Sequence, residues 1–76
     1  MDERKTMREW RILRSLSLRE LAAASRMSYR HVVLLEKGLH QPRPSTRRKI
    51  AAALGVEPRQ IVFPGDPETN AAMVKN

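Results

Sequence analysis

The 76-residue chain contains no cysteine, which excludes disulfides and thiolate metal sites and suits a reducing compartment. Aromatics are nearly absent, with one Trp, one Tyr and one Phe, so there is no series of stacking platforms for single-stranded nucleic acid. The two histidines, His31 and His40, are too few for a zinc centre. No glycine-rich phosphate loop and no carboxylate cluster at metal-ligand spacing makes up for them. The expectation is therefore no catalytic residue, no metal and no cofactor. Apolar runs last only a few residues, short of a membrane span or a signal peptide, and a soluble, cytoplasmic protein is expected.

Positive charge is what the chain has in excess. Residues 1–63 carry fourteen Lys or Arg against six acids, or +8, and residues 64–76 carry one against two, or −1, which together give the net +7. The length predicts one domain, and a chain this small hides only about 60% of its unfolded surface. Residues 1–63 are read as that domain. Residues 64–76, PGDPETNAAMVKN, are read as a flexible tail, with Ala71 to Val74 available to pack across a dimer.

The informative stretch is Ser17 to Gly38, SLRELAAASRMSYRHVVLLEKG. Ser17 followed three residues on by Glu20 forms a capping box, and Leu16 and Leu21 flank it as an apolar staple. Ser28 opens a second helix between Met27 and Val32. Lys37 and Gly38 close it, a cation suiting the negative end of the dipole and glycine the left-handed residue beyond it. Only Arg26 and Met27 separate the two helices. At about 100° per residue, Val32 and Leu35 share one face of the second helix with Glu36 at its edge. Arg30, Leu34 and Lys37 cluster on the opposite face, with Tyr29 and Val33 on one shoulder.

Around this pair the chain predicts a first helix from about Thr6 to Arg14, with Asp2 and Glu3 near its positive end. Met7, Trp10 and Leu13 are its apolar contacts, and Trp10 reads as core filling because it stands at helical spacing from Met7. Pro42 and Pro44 make LHQPR a loop, and Arg43 in it reads either as a phosphate contact or as a solvated cation. Pro44 starts a further helix that runs through STRRKIAAALG to Gly55, with Ile50, Ala51 and Leu54 facing inward. A last short helix, Pro58 to Val62, is expected to close the core with Val56, Ile61 and Phe63.

MREWR, then LS with ELA and Ala22, MS, Val32, LEKG, Pro42 and IAAALGV together resemble the phage-repressor-like helix-turn-helix family of Cro and repressor type, also called XRE. The resemblance covers roughly Met7 to Val62. It implies an all-α bundle of about five short helices, bacterial or phage-encoded, that binds double-stranded operator DNA as a homodimer with half-sites about 34 Å apart. Carried over by position, it puts Tyr29, Arg30, Val33 and Leu34 at base-reading places and Ser17, Leu18, Ser28, Lys37, His40 and Arg43 on the DNA backbone. Arg11 and Glu36 fall where the family has an ion pair. Three positions depart from the pattern: Leu18 replaces a backbone-anchoring Gln, Arg26 a turn Gly, and Arg47 a leucine, so that its charge is expected to reach solvent or DNA. Repression follows by default. The rival reading is a protein-binding module or antitoxin-like regulator whose partner covers an apolar patch of Leu18, Val33 and Leu34.

Overall fold

A computed structural model of the chain describes residues 3–65. The tail from residue 66, including Ala71 to Val74, and Asp2 lie outside the described residues. Strand β1 (Lys5–Thr6) leads into helix α1 (Met7–Leu13), then come α2 (Leu18–Ser25), α3 (Tyr29–Glu36) and α4 (Pro44–Leu54), a 3-10 turn (Pro58–Gln60) and strand β2 (Ile61–Val62). The protein is mostly helical, as expected, but the fifth helix is only a single 3-10 turn.

After that turn the chain extends instead of coiling on to Val62. Ile61 and Phe63 are both buried while Val62 is half-buried. Residues two apart share a face only in a strand, since in a helix they would diverge by about 200°. β2 therefore pairs in parallel with β1, Lys5 opposite Ile61 and Thr6 opposite Val62. Gln60 ties this corner together. Its carbonyl accepts from the Trp10 indole at 2.8 Å, its side-chain amide donates to Glu3 O at 3.2 Å, and its side-chain oxygen accepts from Glu57 N–H at 2.9 Å. Trp10 is thus core filling with its one polar atom satisfied.

The core is Met7, Trp10, Leu21, Ala22, Val32, Leu35, Ile50, Ala51, Leu54, Ile61 and Phe63. Leu13 is no part of it. Leu13 and Ile12 are more than half exposed, because α1 turns only its Met7 and Trp10 side inward. Half-buried Arg47 covers part of the core, its guanidinium carbon 4.8 Å from the Phe63 ring centroid. A flat cation can cover an aromatic face where a leucine would otherwise pack.

Helix starts follow the side-chain chemistry. Thr6 and Glu9 form a capping box on α1, and Ser17 and Glu20 form one on α2. Helix ends share one geometry, in which a residue at positive φ is followed by one whose N–H donates to the carbonyl five residues back. The four N–H donors are Leu16 to Arg11 O, Met27 to Ala22 O, Leu39 to Leu34 O and Val56 to Ala51 O, all at 2.9–3.0 Å. The left-handed residues are Ser15, Arg26, Gly38 and Gly55. Leu16, Met27 and Val56 each pack on the core just after that turn, so burial of the following apolar side chain holds even Ser15 and Arg26 left-handed. Gly38 has a second reason to be glycine, because a Cβ there would stand 2.7 Å from Pro64 Cβ.

Arg26 is exposed and its left-handed backbone costs a residue with a Cβ about 1–2 kcal/mol. Glycine also gives the unfolded chain more freedom. Arg26→Gly is therefore expected to stabilise the fold by about 0.5–1 kcal/mol net, read as a raised midpoint in thermal or urea unfolding.

Candidate nucleic-acid interface

The two helices of the central stretch are positioned by their caps. Ser17 Oγ accepts from Glu20 N–H at 3.0 Å and Glu20 Oε1 accepts from Ser17 N–H at 2.8 Å. Ser28 Oγ accepts from His31 N–H at 3.1 Å. Between the helices, Arg26 at φ 58°, ψ 44° reverses the chain. The end of α2 is further sealed by buried Ser25, whose hydroxyl donates to Leu21 O at 2.7 Å. Val32 and Leu35 are wholly buried, which fixes the rotation of α3 and so its outward face.

One guanidinium joins this pair to α1. Arg11 Nε donates to Glu36 Oε1 at 2.9 Å, its Nη2 to Glu36 Oε2 at 3.3 Å, and its Nη1 to Leu16 O at 3.0 Å. Both side chains are 14% exposed.

Outward from that face stand Tyr29 and Arg30, both exposed, then half-buried Val33 and Leu34, with exposed Lys37 at the far end. The Arg19 guanidinium carbon lies 4.4 Å from the Tyr29 ring centroid. On the other side His31 meets His40 edge to face, with ring centroids 5.7 Å apart. These two line an open cleft of about 490 Å³ with Gln41, Arg43, Ser45 and Thr46. Arg43 caps α4 with no side-chain hydrogen bond, and Pro44 fills the first helical position. A cleft of this kind, polar and cationic at a helix start, suits an anionic group. Among the described residues no three His, Asp or Glu side chains gather as a metal site, and no helix is long and apolar enough to cross a membrane.

Residues 7–61 match the family model described as helix-turn-helix. The chain belongs to the helix-turn-helix family of Cro and repressor type. No curated protein and no solved structure matches it. Membership makes this helix-turn-helix protein a DNA-binding transcription regulator, with double-stranded DNA as its partner.

On the helix-turn-helix frame, the positions singled out from sequence do not all lie alike. Ser17 and Ser28 are exposed caps, and Lys37, His40 and Arg43 are exposed. Leu18 is half-buried and packs against the core. Val33 and Leu34, its companions in the apolar patch of the rival reading, are half-buried as well. The large apolar side chains that are most exposed are Leu39, Ile12 and Leu13, on other parts of the surface. Residue patterning did not reveal Arg19 or the contact between His31 and His40. Both are cross-element contacts, and neither obeys a helical repeat.

Two expectations follow from this geometry. Breaking one partner of a largely buried, doubly hydrogen-bonded pair leaves the other charge uncompensated. Arg11→Ala and Glu36→Ala should each destabilise by about 2–3 kcal/mol, and the double mutant by much less than the sum in a thermal double-mutant cycle. The capping carboxyls make a second case. Hydrogen bonds from Ser17, its backbone N–H foremost, hold the Glu20 carboxyl below its ordinary 4.5, and Thr6 does the same for Glu9. A lowered folded pKa means that stability is present above pH 4.5 and lost as pH falls from there through the lowered value. Unfolding followed from pH 6 to 3 should show that loss, and Glu20→Gln should flatten it. Ser17→Ala should cost about 1 kcal/mol at neutral pH.

Proposed function

We propose that this protein is a repressor that acts as a homodimer on a palindromic operator. The observation that carries the reading is the outward face of α3: Tyr29 and Arg30 are exposed at its N-terminal end, Lys37 at the other, and Arg43 lies beside His31 across the cleft. In this docking mode the start of the second helix meets base edges in the major groove. The exposed hydroxyls of Ser17 and Ser28 and the side chains of Lys37, His40 and Arg43 then hold phosphates, which set register but carry no base information. Leu18 contributes only its backbone N–H at the start of α2.

Base reading falls to Tyr29, Arg30, Val33 and Leu34. Arg30 can pair with guanine O6 and N7, and Val33 and Leu34 can press on thymine methyl groups. Repression follows from occupying DNA that polymerase needs, and no catalytic step is involved. Two copies related by a twofold axis would place their α3 helices one turn of DNA apart, about 34 Å. Such a regulator acts on intracellular DNA.

Selection from a random duplex pool at about 0.15 M salt tests this, because non-specific contacts are already weakened there. A palindrome with half-site centres about ten base pairs apart is expected. On that operator Arg30→Ala should cost about 1–3 kcal/mol and relax preference at one base pair, while Arg43→Ala should weaken all duplexes alike. Binding that fades with salt and enriches no sequence would refute operator recognition.

A further inference from the structure

Arg19 and Tyr29 stand at the starts of two different helices, as the second residue of α2 and the first of α3. Their side chains meet across the gap, with the guanidinium carbon 4.4 Å from the ring centroid. That is stacking distance for a flat cation on a ring face. Glu20, next to Arg19, directs its Oε1 to the Ser17 N–H. Tyr29 is 42% exposed, so the guanidinium over its ring leaves part of the side chain open.

We infer that Arg19 is a positioning residue for base recognition, and that it acts with Tyr29 as one unit. This rests on the reading that the N-terminal end of α3 meets base edges. An exposed tyrosine at a first helical position has freedom about both side-chain torsions, and each orientation carries its hydroxyl to a different place. A guanidinium laid on the ring selects one of them before DNA arrives, which lowers the ordering cost of binding. Stacking uses only the face of the guanidinium. Its N–H donors point outward in the plane, where the start of α2 would meet a phosphate, and a planar fork can grip two phosphate oxygens at once. The phosphate grip then fixes the guanidinium, the guanidinium fixes the ring, and the tyrosine hydroxyl reaches one defined base edge. Because the covered face cannot stack on a base, Tyr29 reads through its hydroxyl and edge.

Lysine keeps the charge but has neither the flat face nor the fork. Arg19→Lys is therefore the informative variant, measured on the selected operator, on single-base variants of it, and on random duplex. Tyr29→Phe first locates the base pair that the hydroxyl reads, as the one where preference falls. At that base pair Arg19→Lys should lower preference at least fivefold, beyond any loss it shares with random duplex, while preference at the pair assigned to Arg30 is kept. Adding Tyr29→Phe to Arg19→Lys should lower it no further. In the free protein, the Arg19 side-chain proton resonances should be shifted upfield by the ring, and Tyr29→Leu should abolish that shift. Arg19→Lys that keeps the preference, or that weakens operator and random duplex equally, overturns the positioning role and leaves operator reading standing. A wild-type protein without any sequence preference overturns operator reading itself, and this inference with it.

Discussion

The guanidinium of Arg11 sets the frame on which the helix-turn-helix is built. One side chain from α1 grips Leu16 O, just before the cap that starts α2, and the Glu36 carboxylate, at the last residue of α3. Two neighbouring segments and a third, 25 residues further on at Glu36, are thereby held at one point. Because guanidinium and carboxylate are planar and meet through two hydrogen bonds, the pair fixes orientation as well as distance. Its low exposure shields it from the solvent screening that makes most surface pairs weak. The outward face of α3 then has a defined position relative to α1, and the exposed cations around it share one rigid support.

The remaining stability comes from a small core closed by β1 and β2. β1 and β2 lie at opposite ends of the described chain, and the contacts of Gln60 with Trp10 and Glu3 bring them together. Two-residue strands contribute few backbone bonds of their own. Their importance lies in direction, since only an extended chain brings both Ile61 and Phe63 into the interior. Arg14 adds to this closure, donating from Nε to Leu54 O at 2.8 Å while its guanidinium lies 5.2 Å from the Trp10 ring centroid. Much of the positive charge thus has structural work at the margin of the core. Arg11, Arg14 and Arg47 are examples, and net charge alone therefore overstates the cations that are left for a phosphate backbone.

Local chemistry made most of the fold legible. Ser17 with Glu20, Ser28, Pro44, Gly38 and Gly55 are starts and stops that act within a few residues, so the sequence carries them directly. The inward stripes Val32 with Leu35 and Ile50, Ala51 with Leu54 were readable for the same reason, because helical period alone assigns their side. The stop of α1 at Ser15 carries no such signal. Serine has no preference for positive φ, and it adopts it because Leu16 beyond it packs on the core. Arg26 takes the same conformation before Met27 for the same cause.

The sequence by itself determined the four α-helices, where they begin, and which face of α3 is buried, since capping and periodicity are short-range and add up along the chain. It also placed Arg11 and Glu36 together, through the pattern that the chain shares with its family. Only the tertiary structure decided the short parallel pairing of β1 with β2, the packing of Leu18 against the core, the covering of Phe63 by Arg47 and the stacking of Arg19 on Tyr29. Each depends on elements distant in sequence meeting at a particular angle. Such meetings are settled by how the whole core packs, and no local preference of the residues involved announces them.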